Sequence, residues 1–141
     1  MTGDAAAVTA AANKALVRCL VEEVLGQGRL ELIPLLVAAD HVGHLPIGDH
    51  YGPEGVRIDV AAYRAAFPDL AVTLDDLLAV GDKVVRRFTL RGTHRGAFLG
   101  VPASGQPVTL RGIAIDRVAR GHLAESWVQI DDLVGAPEVV R

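Results

Sequence analysis

The chain has 141 residues, which suits one folded domain, and half of them are hydrophobic, which is enough to build a core. The formal net charge is −3, and the basic residues are not clustered as phosphate binding requires. We therefore expect no nucleic-acid partner. The single cysteine excludes an internal disulfide. The chain shows no basic leader and no apolar run of ~18 residues, so we expect a cytoplasmic protein with no membrane partner.

Helices are predicted in the first half of the chain. Residues 1–12 are rich in alanine and are expected to be frayed in part, after which apolar residues at helical spacing predict a helix that ends at Gly26. A shorter helix is predicted over residues 30–37. Residues 52–55 place proline and an acid in the first turn of another helix, which Pro68 ends.

Strands are predicted after Pro68, where the spacing of apolar residues changes from helical to alternating. A glycine-rich loop at 93–106 divides the predicted strands, which cover residues 72–80, 83–92, 107–118 and 123–131. Short turns favour an antiparallel meander. Helices followed by strands predict an α+β fold, in one domain that spans residues 1–141.

The last predicted strand carries a candidate general base. Trp127, Gln129 and Asp131 share one face of this strand because side chains alternate along it. A carboxylate beside a large aromatic side chain on the concave face of a sheet is desolvated, and desolvation raises its pKa towards the range that proton transfer needs. The alternative is that Asp131 and Asp132 end the strand in solvent.

Three of the five histidines lie in residues 40–51, together with acidic residues that could complete a metal site. The segment contains glycine and proline and lacks any recognised metal-ligand motif, so no metal is expected. His44 is interpreted as lining a pocket, whereas His41 and His50 are interpreted as surface residues.

Further candidates lie near the glycine-rich loop and on the third helix. His94 follows a predicted strand, so it is either a ligand contact or a turn histidine in water. Tyr63 and Phe98 are candidates for the wall of an apolar pocket, with ordinary core as the alternative, which is preferred for Phe67. The basic strand 83–91 is interpreted as a solvated or partner-facing edge.

Several segments, taken in order, are similar to one family. They are Gly52-Pro53-Glu54-Gly55, Phe67-Pro68-Asp69, Gly81-Asp82-Lys83-Val84-Val85, Arg91-Gly92-Thr93-His94-Arg95-Gly96, and Gly121-His122-Leu123-Ala124-Glu125-Ser126-Trp127 with Asp131 four residues later. From about Asn13 to Leu133 the chain resembles the SnoaL-like polyketide cyclases. The resemblance implies a cone-shaped barrel, with a curved and mostly antiparallel sheet around N-terminal helices and an internal pocket for a flat, hydrophobic polyketide.

The resemblance also implies a reaction and a set of residues. It implies intramolecular aldol ring closure without metal or cofactor, with Asp131 as the acid/base group. His44 and His94 fall where the family places polar pocket residues, so they are candidates to stabilise the oxyanion, with Gln129 as a further candidate.

Two alternatives stay open, and a partner is expected. The same fold could serve a polyketide hydroxylase or an epoxide-hydrolase-like enzyme, or a small-molecule binding domain without catalysis. The resemblance implies a homodimer, for which the apolar side chains of Ala124, Val128 and Ile130 would offer a sheet surface.

Overall fold

The computed structural model describes residues 3–131 and residue 133. Its helices are α1 (Gly3–Cys19), which continues as a π-helical segment (Leu20–Leu25), a 3₁₀ turn (Leu30–Leu32) that leads into α2 (Ile33–Leu36), and α3 (Gly52–Ala66). Its strands are β1 (Val37–Leu45), β2 (Gly48–Tyr51), β3 (Ala71–Val80), β4 (Lys83–Thr93), β5 (Pro107–Ala119) and β6 (His122–Ile130). None of the helices in the described residues is long and apolar enough to cross a membrane.

The strands form one mixed sheet in the order β2-β1-β6-β5-β4-β3. Strands β3 to β6 form the predicted antiparallel meander, whereas β1 lies parallel to β6 and pairs with β2 as a hairpin. Within the described residues the sheet is open, with β2 and β3 at its edges. Helices on one face of a curved sheet confirm the predicted α+β fold.

Two strands were not predicted. The histidine-rich segment was placed between helices, but it forms most of β1 and all of β2. Its apolar residues do not alternate regularly, because the pairing of β1 with β6 shifts register between Val37 and Val42. The first helix also begins at Gly3, well before the predicted start.

Two groups of buried side chains fill the space between the helices and the sheet. The first joins α1 and its π-helical extension to the sheet through Val17, Val21 and Val24, which pack with Val84 and Leu123. The second is richer in aromatic residues and surrounds Phe67, Phe88, Phe98, Leu90 and Leu110. Burial of these side chains supplies the main driving force for folding.

The two faces of β6 are reversed relative to the prediction. Ala124, Ser126 and Val128 are buried beneath the helices, whereas Trp127 and Gln129 lie on the outer face of the sheet, the face turned away from the helices. The apolar face that was expected to form a dimer is therefore part of the core. The pairing of β6 between β1 and β5 fixes this orientation.

Candidate active site

A cavity of about 90 Å³ lies between the inner face of the sheet and the helices. Its wall is mostly apolar, with side chains from the π-helical segment, α3 and four strands. The polar and charged side chains in the wall are His41, His50, Asp59, Tyr63, Arg86 and Ser126. A largely apolar cavity with a few convergent polar groups is the usual form of a small-molecule site.

Asp59 and His50 lie together in the cavity wall. Nδ1 of His50 is 2.7 Å from Oδ1 of Asp59, but the two groups are not aligned as a hydrogen bond. Burial raises the pKa of Asp59 to about 6, although the charge of nearby His50 offsets part of this effect. Asp59 is therefore a carboxyl group that can gain or lose a proton near neutral pH.

Tyr63 lies on the same side of the cavity, one helical turn after Asp59. Burial raises the pKa of Tyr63 to about 12, so its phenol stays protonated and can donate a hydrogen bond. Within the described residues the hydroxyl makes no hydrogen bond, and the ring packs against Phe98 with the centroids 5.1 Å apart. The phenol is thus a donor that a ligand could use.

A buried polar chain crosses the floor of the cavity from β4 to β1. Arg86 donates from Nε to Oδ2 of Asp116 (2.7 Å) and from Nη2 to Oδ1 (3.3 Å). Ser126 Oγ donates to Asp116 Oδ1 (2.7 Å), and Nε2 of His41 lies 3.1 Å from Ser126 Oγ. All four residues are buried, and burial lowers the pKa of His41, which favours the neutral imidazole.

The comparisons with known proteins identify the family. The family model described as SnoaL-like polyketide cyclase matches residues 15–136. The chain belongs to the SnoaL-like polyketide cyclase family. Among curated proteins, nothing matches this SnoaL-like chain.

Solved structures of the same family share its fold. A candidate SnoaL-like polyketide cyclase from Jannaschia sp. CCS1 is 25% identical, with a TM-score of 0.80 over 91% of this chain and 90% of its own. IdmH, a candidate polyketide cyclase from Streptomyces antibioticus, is 31% identical, with a TM-score of 0.76 over 90% of this chain and 99% of its own. AclR, a candidate hydroxylase from Streptomyces galilaeus, is 27% identical, with a TM-score of 0.75 over 93% of this chain and 84% of its own.

The predicted base of this SnoaL-like chain lies outside the cavity. Asp131 follows the end of β6 and is exposed, and its Oδ2 accepts a hydrogen bond from the backbone N–H of Arg111 at 2.9 Å. Trp127 is 37% exposed and Gln129 is exposed, so the concave, desolvated setting expected for this face is not found. The reason is the reversed orientation of β6. Asp132, the alternative strand end, lies outside the described residues.

His44 is also on the outer face, because the inward positions of β1 are 41, 43 and 45. Its Nε2 lies 2.7 Å from Oε2 of Glu125 and its Nδ1 lies 3.1 Å from Oδ1 of Asp49. These contacts, with Glu125 the stronger, raise the pKa of His44. The ring stacks on Trp127 with the centroids 5.7 Å apart. The expected position of His44 in the pocket is therefore wrong.

His94 and Phe98 are buried but do not line the main cavity. His94 packs against Phe67, and its Nδ1 lies 3.3 Å from Ser104 Oγ. It faces a separate depression beside the glycine-rich loop, so it is not a turn histidine in water. Phe98 packs between Tyr63 and Phe67, as ordinary core does. Tyr63 is the predicted site residue that does line the cavity.

Most of the polar residues of the cavity were not predicted from the sequence. His41 and His50 were interpreted as surface residues, yet both line it. Arg86 was placed on a solvated edge, but β4 is an internal strand and this side chain points inward. One usable signal was present: Asp59 lies on the same helical stripe as Val56, Val60 and Tyr63, and a carboxylate on an apolar stripe is unusual.

Proposed function

We propose that this protein is an enzyme that closes a ring in a polyketide-like substrate by an intramolecular aldol reaction within the cavity. The observation that carries the proposal is Asp59, a carboxyl group with a pKa of about 6 in a mostly apolar cavity. A general base works best when its pKa lies close to the working pH. Membership of a polyketide cyclase family supports the substrate class.

In the proposed reaction, Asp59 removes a proton from a carbon next to a carbonyl group. The resulting enolate attacks a second carbonyl carbon of the same molecule, which forms the new carbon–carbon bond and leaves an alkoxide. Protonated Asp59 then returns its proton to this oxygen, so substrate and product are isomers. The phenol of Tyr63 and the guanidinium of Arg86 supply donors in the cavity wall for the developing oxyanion.

The size of the cavity limits how much of the substrate it encloses. At about 90 Å³ it is smaller than the ~300–1,000 Å³ typical of ligand pockets. The proposal therefore places the ring that closes inside the cavity and the rest of the polyketide outside it. Nothing in this scheme requires a metal or an organic cofactor.

Oxygen transfer is a second candidate function. It is favoured by the similarity to AclR, which is described as a candidate hydroxylase. The same cavity would then position a polyketide for the addition of one oxygen atom.

Product analysis separates these candidates. Purified protein is incubated in air with an anthracycline-type polyketide methyl ester, and the products are followed by liquid chromatography with mass spectrometry. A new product of unchanged mass, or of that mass less one water, supports ring closure. A gain of one oxygen assigns the protein as a hydroxylase, and an unchanged substrate favours a binding domain.

We also propose that two copies pair through the outer face of the sheet. Leu78, Val85, Ile115 and Trp127 occupy one row across β3, β4, β5 and β6. Leu78 is 59% exposed, while Ile115 and Trp127 are each 37% exposed. An apolar row of this kind on a sheet is a surface that a second subunit could cover.

A further inference from the structure

Two residues of the cavity wall carry a buried ring nitrogen that makes no hydrogen bond within the described residues: Nδ1 of His50 lies 2.7 Å from Oδ1 of Asp59, whereas Nδ1 of His41 has no partner there. His41 is 4% exposed and lines the cavity. Its Nε2 lies 3.1 Å from Ser126 Oγ, whereas its Nδ1 is buried and makes no hydrogen bond to any residue in the described ranges. A buried polar atom without a partner costs free energy, so it calls for an explanation.

The polar chain beneath His41 fixes which of its nitrogens carries the proton. Arg86 donates to both carboxyl oxygens of Asp116, so both oxygens act as acceptors. Ser126 must therefore donate its own proton to Oδ1 of Asp116, 2.7 Å away. The Ser126 oxygen can then only accept from His41, so the neutral imidazole carries its proton on Nε2 and a bare lone pair on Nδ1.

We infer that Nδ1 of His41 accepts a hydrogen bond from a hydroxyl group of the ligand, so that the cavity selects enols and phenols over the corresponding ethers and hydrocarbons. A lone pair cannot serve a ketone oxygen, which is itself an acceptor. Gly43, a neighbouring residue of the cavity wall, carries no side chain, and a Cβ there would make an ordinary contact with Cε1 of His41 at 3.5 Å. This inference rests on the proposed function in one respect only: the hydroxyl group is taken to be that of an enolised polyketide.

His41 therefore has a different role from Asp59. Asp59 exchanges a proton with the substrate, whereas His41 orients it by accepting from a hydroxyl that is already there. The polar chain behind His41 acts through it, which makes Ser126 a positioning residue. Loss of the Ser126 hydroxyl would free Nε2 and Nδ1 to exchange the proton.

Binding of two small probes tests the inference without any assay of catalysis. Phenol and toluene have similar size, but only phenol carries a hydroxyl. We expect the wild-type protein to bind phenol about tenfold more tightly than toluene, as one hydrogen bond of ~1.4 kcal/mol predicts. The His41→Leu variant should lose this preference and bind toluene at least as tightly as phenol, because the phenol hydroxyl would then be buried without an acceptor. The His94→Leu variant, changed at a buried histidine outside the cavity, should keep the preference for phenol.

The tautomer of His41 gives an independent readout, which remains useful if His41→Leu folds poorly. Long-range ¹H–¹⁵N spectra should show the proton of His41 on Nε2 in the wild type and a mixture of tautomers in Ser126→Ala. A proton on Nδ1 in the wild type, equal affinity for the two probes, or no measurable binding of phenol would each overturn the inference. A preference for phenol in a protein that forms no ring-closed product would reject the proposed function and keep this inference.

Discussion

The residues proposed to act in the cavity are distinguished by their burial rather than by their position in a motif. Asp59 is the clearest case, because an ordinary aspartate in α3 becomes a candidate base through the apolar wall around it. Burial is the largest cause of the rise in its pKa to about 6. Burial also lowers the pKa of His41, which favours its neutral form, and we propose that Asp59 exchanges protons with the ligand while His41 accepts a hydrogen bond from it.

The pKa of Asp59 predicts how activity depends on pH. A general base must be ionised, so kcat/KM for ring closure should rise with pH and level off above a midpoint of about 6. The measurement is a pH–rate profile between about pH 4.5 and 8. A profile that is flat through this range would show that a group with a different pKa controls the reaction.

The contact between His44 and Glu125 predicts a window of pH-dependent stability. The pKa of His44 is raised from 6.5, so its contribution is complete below that value and is lost as pH rises through the higher pKa of the folded state. The pKa of Glu125 is lowered from 4.5, chiefly by His44, so its contribution is lost as pH falls below that value. The contact therefore stabilises the fold most between 4.5 and 6.5.

Thermal unfolding of the wild type and His44→Gln checks this window. The variant should lower the unfolding midpoint more at about pH 5.5 than at about pH 8. Equal differences at the two pH values would show that the charge of His44 does not contribute. The His122→Gln variant is the matched control, because it changes a half-buried histidine whose Nδ1 lies 3.1 Å from the backbone carbonyl oxygen of Arg120.

At the scale of elements, periodicity predicted which segments form strands but not which face of a strand is buried. Strands β3 to β6 follow the predicted meander, because alternation is a local signal. Both faces of β6 carry apolar side chains. Trp127 on one face and Val128 on the other each indicate that their own face is buried, so the pattern alone does not decide between them. The pairing with β1 decided the outcome, and β1 itself lies in a polar, histidine-rich segment that alternation does not reveal.

The site was harder to predict from the sequence than the fold, because the site depends on contacts between residues that are far apart in the chain. His41 and Ser126 meet although they are 85 positions apart, and Arg86 and Asp116 are 30 apart. No spacing in the sequence gives such pairs. Resemblance to the family correctly predicted the α+β cone and its pocket, but the residues that fill the pocket of this chain depend on register and burial.

Gly112 in β5 gives a prediction about the packing of the sheet. A Cβ at this position would lie 2.4 Å from Cζ of Phe88 and 2.9 Å from the carbonyl oxygen of Gln129. We expect Gly112→Ala to lower the free energy of unfolding by ~1–3 kcal/mol, because the Phe88 ring must shift within a filled core. Denaturant unfolding measures this loss.

Gly43→Ala is the matched control for this substitution. A Cβ at Gly43 would meet its nearest neighbour at 3.5 Å, an ordinary contact, so its effect on unfolding should be small. If Gly112→Ala were as stable as Gly43→Ala, the close approach of Phe88 to β5 would not be a feature of the folded protein.

At the scale of the whole molecule, the outer face predicts self-association. Ile115→Asp places a charge in the centre of the apolar row on the outer face, so it should convert the proposed dimer into monomers. Sedimentation velocity of the wild type and the variant at equal concentration gives the result. Ile47→Asp changes a residue that is 61% exposed in the β1–β2 turn, away from this row, and should leave the dimer intact. A monomeric wild type would reject the interface.

We place the proposed acid/base group inside the cone, on Asp59, rather than at the exposed end of β6, where family resemblance predicts Asp131. The most direct test compares the rate of ring closure in Asp59→Asn and Asp131→Asn under identical conditions, with folding of both variants checked by circular dichroism. We expect Asp59→Asn to lose ~10²–10⁴-fold in kcat, because a general base is removed, while Asp131→Asn stays close to the wild type. Loss of turnover in Asp131→Asn with activity retained in Asp59→Asn would contradict this placement.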